Sequence, residues 1–146
     1  MEPSEVRIES TSAATPDRPT LLYDDGCRFC RAMAELLFRL ARSRELSVLP
    51  WSSPFAQEWI KYLTPQVRDA SMHLKLPDGT LLSGAGVLAL TLAHVRGLKW
   101  IAWLSARIPV FRRYIAWQYA FVAGRREFFS KIVPNRAPVR RDPAVR

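Results

Sequence analysis

The chain has 146 residues and only two cysteines, which stand three positions apart in Cys27-Arg28-Phe29-Cys30. At this spacing two sulfurs can close a short disulfide ring and exchange electrons with another thiol–disulfide couple. The exchange needs a thiolate, because the thiolate and not the thiol is the attacking form. The motif therefore predicts a redox site, provided that its surroundings lower the pKa of one cysteine.

The residues around this motif predict the elements that position it. An apolar strand over residues 20–23 leads through the Asp24-Asp25-Gly26 turn into a helix over residues 27–43, whose apolar residues recur at helical spacing. The free N–H groups and the positive dipole end of such a helix stabilise a thiolate on its first residue. We therefore expect Cys27 to be the exposed nucleophile and Cys30, one turn later, to be the more buried resolving thiol.

Two carboxylates precede the motif, and each has two interpretations. Asp24 follows the strand and lies three residues before Cys27, where it would take or return the proton of Cys30 during exchange. Alternatively, either aspartate only caps the N-terminus of the helix. The cap is the preferred interpretation for Asp25, whereas both interpretations remain open for Asp24.

The rest of the pattern predicts one α/β domain. Strands are expected over residues 46–50, 72–76 and 80–82, and helices over 54–62, 65–70, 85–95 and 98–129, the last broken at Pro109 and Gly124. Pro77-Asp78-Gly79 supplies a hairpin turn between the last two strands. This order of elements predicts a thioredoxin-like mixed sheet covered by helices, with extra C-terminal helices.

The composition of both chain ends predicts tails around this domain. Residues 1–19 are rich in Ser, Thr, Pro and Glu, and residues 134–146 contain three prolines and four arginines, so disordered tails are expected on either side of a domain over residues 20–133. The N-terminus lacks a secretory signal pattern, and no window is apolar enough to span a membrane. We therefore expect a cytoplasmic protein, in which a C-x-x-C pair is more often catalytic or metal-binding than a static crosslink.

A zinc site is the main chemical alternative for the two cysteines. Structural zinc needs four ligands, and the only other candidates of the usual kind are His73 and His94, which lie 21 residues apart in a predicted strand and a predicted helix. This spacing disfavours a metal site. No bound cofactor is expected either, because thiol–disulfide exchange keeps its electrons on the sulfurs.

The net charge of +9 lies mainly in the C-terminal third, where residues 97–131 contain seven basic residues and one acidic residue. Nine aromatic residues occupy the same region, and its helical period predicts that about two-thirds of them pack in the core. The remaining aromatics, beside the arginines, indicate a surface that docks an anionic membrane or an acidic partner protein, with nucleic acid the less favoured partner. A non-catalytic binding module built on this surface is therefore the alternative function.

The stretch Tyr23-Asp24-Asp25-Gly26-Cys27-Arg28-Phe29-Cys30 resembles the DCC family of thiol–disulfide oxidoreductases, named for its Asp, Cys, Cys signature. The three signature residues would be Asp24, Cys27 and Cys30, and the resemblance extends over residues 20–133. It implies a thioredoxin-like fold and dithiol–disulfide exchange with a thiol- or disulfide-containing protein or small molecule. A separate reductant would then recycle the protein.

Two positions depart from the related patterns. Asp25 stands where glycine is commonest in the family, and a second acid there would raise the pKa of the thiols. Near Ser71, counted back from the hairpin, thioredoxins carry a cis-proline that faces the cysteines. Substrate docking is therefore expected to differ from that of thioredoxin.

Overall fold

The computed structural model describes residues 6–9, 14–41, 45–94 and 97–144. These residues form five strands: β1 (Val6–Glu9), β2 (Thr20–Tyr23), β3 (Ser47–Pro50), β4 (His73–Lys75) and β5 (Thr80–Ser83). They also form seven helices: α1 (Arg28–Leu40), α2 (Pro54–Ile60), α3 (Pro65–Ala70), α4 (Ala85–Ala93), α5 (Lys99–Arg107), α6 (Pro109–Gly124) and α7 (Arg126–Ile132). No helix of the described residues is long and apolar enough to cross a membrane.

The strands form one mixed sheet in the order β1-β5-β4-β2-β3. β2 and β3 are parallel and are joined by a crossover through α1, whereas β4 pairs antiparallel with both β2 and β5. A β-α-β unit followed by a β-hairpin is the arrangement of a thioredoxin-like fold. The predicted α/β fold with extra C-terminal helices is therefore confirmed.

Local signals account for several element boundaries. Ser53 and Thr64 cap α2 and α3, each accepting a hydrogen bond from a backbone N–H three residues later, and a proline follows each cap. Gly79 has φ 88° in the turn between β4 and β5, a conformation that side chains other than glycine rarely adopt. The breaks predicted at Pro109 and Gly124 coincide with the start and the end of α6.

The core lies on both faces of the sheet. Leu21 and Leu22 are both fully buried and belong to different clusters, because successive side chains of a strand point to opposite faces. One cluster packs α1 and α4 against the sheet around Leu21, Ala34, Leu37, Val48, Leu74 and Val87. The other packs α2 on the opposite face around Leu22, Leu49, Trp59, Ile60 and Leu81. The interior strand β2 is thus packed on both faces up to the turn that precedes the cysteines.

Segments of both expected tails pair with the domain, and residues 1–5, 10–13, 145 and 146 lie outside the described residues. Residues 6–9 form β1, which pairs antiparallel with β5. The C-terminal segment runs back over the domain, where Arg141 forms a bridge with Val48 and the hydroxyl of Tyr23 donates to the carbonyl oxygen of Val139 at 2.6 Å. Pairing at a strand edge uses backbone N–H and C=O groups, which do not depend on the type of side chain. Polar, proline-containing segments can therefore pair there.

The expectation that most C-terminal aromatics pack in the core is wrong. No described side chain of α6 or α7 is fully buried. Six of the nine aromatics are exposed: Trp100, Trp103, Tyr114, Trp117, Phe121 and Phe128. Three of the six lie on α6, which has apolar residues on two faces, and only one of these faces packs against the domain.

Candidate functional site

Cys27 occupies the N-cap of α1 and has an extended backbone conformation. Its sulfur accepts a hydrogen bond from the backbone N–H of Cys30 at 3.4 Å, and neither cysteine forms a disulfide in this structure. The cap position predicted for Asp25 is therefore wrong: an Asp25 carboxylate oxygen instead accepts from the N–H of Ser52 at 3.4 Å. The cysteine itself takes the place of the usual oxygen cap, which places its sulfur at the positive end of the helix.

Ser130 of α7 is the nearest side-chain hydroxyl to this sulfur. Its oxygen lies 3.4 Å from the Cys27 sulfur and 3.3 Å from the N–H of Phe29, from which it accepts a hydrogen bond. The hydroxyl proton of Ser130 is then available to donate to the sulfur. The rings of Phe29 and Phe129, whose centroids are 5.4 Å apart, pack α7 against the first turn of α1 and fix this contact.

The pKa of Cys27 is lowered from its usual value. Partial burial raises it, but hydrogen bonds from the Cys30 thiol, the Ser130 hydroxyl and the Cys30 backbone N–H outweigh burial by stabilising the thiolate. The negative charge of Asp24 opposes them weakly. Cys27 is also partly exposed, so that its sulfur is accessible from outside the protein.

Cys30 has the opposite environment. Its side chain is 7% exposed, and burial is the main cause that raises its pKa far above the usual range. The hydrogen bond to Cys27 and the negative charges of Cys27 and Asp24 raise it further, against a small opposing effect of Arg126. Burial thus favours the neutral form of the Cys30 thiol, whereas hydrogen bonds favour the thiolate form of Cys27.

Asp24 lies in the turn between β2 and α1, beside both cysteines. One carboxylate oxygen accepts from the N–H of Gly26 at 2.9 Å, which holds the turn in shape. Its charge raises the pKa of both thiols, and its side chain lines the cavities on both sides of the pair. The carboxylate therefore has a turn-forming role and, at the same time, a position from which it acts on the cysteines.

Two cavities adjoin the cysteine pair. An open cleft of about 560 Å³ lies at Cys27 and is lined by Asp24, Gly26, Cys27, Arg28, Arg126, Glu127, Ser130 and Lys131. A more enclosed cavity of about 240 Å³ lies at Cys30, and its walls are mainly apolar, including Met33, Trp51, Met72, Tyr119 and Val122. Cys27 thus faces a polar, accessible cleft, whereas Cys30 faces a small apolar space.

The segment that approaches the cysteines from β4 differs from that of thioredoxin, as Ser71 predicts. Ser71 is extended, and the described residues contain no cis peptide bond. The next residue, Met72, donates its backbone N–H to the hydroxyl of Tyr119 at 3.1 Å. Burial is the main cause that raises the pKa of Tyr119, so the phenol stays neutral and holds α6 against this segment.

The two histidines lie in separate hydrogen-bond arrangements. His73 is buried, and its ring nitrogens contact the Ser83 hydroxyl at 2.7 Å and the carbonyl oxygen of Arg68 at 3.0 Å. His94 contacts the carbonyl oxygen of Leu90 at 2.8 Å. Within the described ranges, no three His, Cys, Asp or Glu side chains are grouped so that they could hold a metal ion.

The structure thus brings together Asp24, Cys27 and Cys30, and adds Ser130 and Tyr119, which sequence reasoning missed. Neither added residue carries a local signal, because Ser130 follows Cys27 by 103 positions and Tyr119 follows Met72 by 47. Ser130 lies in a short helix whose pattern indicates only amphipathic packing. Its role becomes apparent only from the contact between α7 and α1.

Comparison with known proteins adds one match. The model of the DCC1-like thiol-disulfide oxidoreductase family matches residues 21–131, which include both cysteines, Asp24 and Ser130. No curated protein and no solved structure was found to match the chain. The matched region covers most of the sequence and the whole cysteine site, and the chain therefore belongs to the DCC1-like thiol-disulfide oxidoreductase family.

Proposed function

We propose that the protein catalyses thiol–disulfide exchange, with Cys27 as the nucleophile and Cys30 as the resolving thiol. The observation that carries this proposal is the opposite perturbation of two adjacent thiols. The pKa of the partly exposed Cys27 is lowered, whereas the pKa of the buried Cys30 is raised. A static disulfide or a metal site needs no such difference between its two sulfurs.

In the first step, the Cys27 thiolate attacks one sulfur of a substrate disulfide. A bond forms between that sulfur and Cys27, the substrate S–S bond breaks, and the second substrate sulfur leaves as a thiolate. The hydrogen bonds from Ser130 and from the Cys30 N–H set the pKa of the attacking thiolate. The cleft at Cys27 gives a substrate sulfur access to it.

In the second step, Cys30 loses its proton and attacks the sulfur of Cys27. The Cys27–Cys30 disulfide forms, the bond to the substrate breaks, and the substrate leaves as a second thiolate, so that two electrons have passed to it. Asp24 is the proposed acceptor of the Cys30 proton, because its carboxylate is the acidic group that acts on both sulfurs. The reverse sequence oxidises a dithiol substrate.

The proposed substrates are thiol- or disulfide-containing proteins or small molecules. The cleft at Cys27 is open, and it presents three cationic side chains, Arg28, Arg126 and Lys131, beside two carboxylates. An extended chain or a small disulfide can therefore reach the sulfur. A separate thiol or disulfide couple must return the protein to its starting state, since each turnover changes the oxidation state of the pair.

Trapping of the mixed disulfide tests the assignment of the two cysteines. With Cys30→Ser, oxidised glutathione should give a stable adduct on Cys27, detectable by intact mass and peptide mapping. With Cys27→Ser, little adduct should form on the buried Cys30. Equal trapping at both positions would contradict the proposed roles.

A thiol titration separates exchange from the alternative of a non-catalytic binding module. If the protein is a redox enzyme, iodoacetamide should alkylate Cys27 at neutral pH much faster than it alkylates free cysteine. Equilibration of the wild type with a series of glutathione redox buffers should also show one two-electron transition. Alkylation at the rate of an ordinary thiol, together with no such transition, would instead support the binding module.

A further inference from the structure

Helix α6 carries an apolar stripe on its exposed side. Val110, Tyr114, Trp117 and Phe121 follow one another at intervals of four, three and four residues, which places them along one face of a helix. Their side chains are 75%, 53%, 61% and 40% exposed, respectively. A stripe at this spacing normally covers a core, yet here it faces away from the domain.

The opposite side of α6 holds the helix in place. Phe111, Ile115 and Val122 are partly buried, and α6 contacts α4, α5 and α7. Tyr119 on this side also binds the backbone of Met72. The exposed stripe is therefore presented by a helix that is already packed against the domain.

The charges beside the stripe are all positive. Arg113 is exposed on α6 next to the stripe, α6 contains no acidic residue, and Arg125 lies directly after it with its guanidinium 4.2 Å from the ring centroid of Phe121. Over residues 97–131 a single acidic residue, Glu127, opposes seven basic ones. The complementary surface must therefore be both apolar and anionic.

We propose that this face of α6 docks on an anionic lipid membrane. The ring stack of Trp117 and Phe121, with centroids 5.9 Å apart, would lie at the boundary between headgroups and acyl chains, and the arginines would contact lipid phosphates. A second copy of the chain offers an apolar stripe but the same positive charge, so electrostatic repulsion opposes self-association through this face. An anionic bilayer supplies both of the required properties in one surface.

Membrane docking is independent of the thiol chemistry, although the two are linked in space. Helix α7 follows α6 after Arg125, and its Ser130 contacts Cys27. Docking through α6 would thus hold the cysteine site near the lipid surface. The Cys27→Ser variant should bind membranes as well as the wild type does, whatever its exchange activity.

Co-sedimentation with vesicles tests the proposal. The full chain should bind vesicles that contain roughly one-third phosphatidylglycerol in phosphatidylcholine, and bind pure phosphatidylcholine at least about tenfold more weakly. Binding should fall steeply as salt rises to about 0.5 M, because the arginines act through a screened interaction.

Single substitutions test whether binding depends on the apolar stripe and on the arginines beside it. Trp117→Ala should weaken binding about tenfold, since it removes the largest exposed apolar side chain of the stripe. Arg113→Gln should weaken binding about fivefold, as expected for one cation near an anionic surface. Lys61→Gln and Tyr62→Ala are matched controls, because these two exposed residues form a cation–aromatic pair outside the C-terminal helices. Neither control should change binding.

Three results would overturn membrane docking. The first is no sedimentation with anionic vesicles at low salt. The second is binding that Trp117→Ala and Arg113→Gln leave unchanged, or that the controls weaken equally. The third is binding to a soluble acidic peptide that contains aromatic residues, tighter than binding to anionic vesicles and weakened by Trp117→Ala, which would assign the surface to an acidic protein partner.

Discussion

The hydroxyl oxygen of Ser130 lies 3.4 Å from the sulfur of Cys27, although 103 positions separate the two residues in the chain. The same oxygen accepts from the N–H of Phe29, which leaves its proton available to donate to the sulfur. A helix that follows the thioredoxin-like core thus contributes a side chain to the cysteine site. The extra C-terminal helices therefore form part of the environment of the Cys27 sulfur.

Ser130→Ala should raise the pKa of Cys27, because it removes a hydrogen bond that stabilises the thiolate. The rate of Cys27 alkylation as a function of pH, recorded in the Cys30→Ser background, measures the shift. Ser105→Ala is the control, since that hydroxyl donates to the carbonyl oxygen of Ile101 instead. A titration identical to that of the parent would show that the contact does not act on the thiolate.

Asp24→Asn should affect the two steps of exchange in opposite ways. Loss of the carboxylate charge lowers the pKa of Cys27, so the mixed disulfide should form faster at slightly acidic pH. Loss of the proposed proton acceptor should slow the attack by Cys30. Stopped-flow measurement of both phases checks this split.

Asp25→Asn serves as the control for Asp24→Asn, because it makes the same chemical change one residue later and keeps an oxygen that can accept from Ser52. It should leave the resolving phase unchanged. If Asp24→Asn also left that phase unchanged, Asp24 would have only its structural role in the turn.

His73 should make the folded state less stable at mildly acidic pH. Burial lowers its pKa from 6.5 to about 4, so the unfolded chain binds a proton in this window before the folded chain does. The contribution of His73 to the free energy of unfolding should therefore fall by roughly 2 kcal/mol between pH 7 and pH 5. Urea unfolding at several pH values measures this slope.

His73→Gln should flatten that slope, whereas His94→Gln should retain it. The comparison depends on the pH dependence and not on absolute stability, so a general loss of stability in His73→Gln does not obscure it. An unchanged slope in His73→Gln would assign the acid sensitivity to other groups.

Tyr23→Phe should loosen the C-terminal segment. The substitution removes the hydroxyl that donates to Val139, at a cost of about 1 kcal/mol in the free energy of unfolding. Trypsin should then cleave faster after Arg136, Arg140 and Arg141, as followed by mass spectrometry. Tyr62→Phe, at an exposed position, is the control. Equal cleavage rates in both variants would mean that this hydrogen bond does not restrain the segment.

The elements next to the cysteines are predictable from sequence because their signals are local. Each of these signals acts within a few residues. They are the C-x-x-C spacing, the caps at Ser53 and Thr64, and the turn that contains Gly79. The cap of α1 is a partial exception, because the sulfur of Cys27 takes the place that an aspartate was expected to fill. Within the turn, backbone geometry and not residue preference decides which side chain reaches the free N–H groups.

Non-local features were not predictable in the same way. A helical period shows that α6 has apolar positions, but it does not show which of two apolar faces lies against the domain. Trp117 and Ile115 both satisfy such a pattern, yet the former is exposed and the latter partly buried. The contact of Ser130 with Cys27 likewise depends on how α7 packs against α1.

The two ends of the chain lie at opposite edges of the sheet. β1 pairs along β5, and the C-terminal segment bridges to β3 at Val48. Unpaired strand edges recruit strands from other molecules, and a short edge strand such as β1 limits this tendency. Trimming either end would expose backbone groups of β5 or β3 and should therefore make the chain prone to edge-to-edge aggregation.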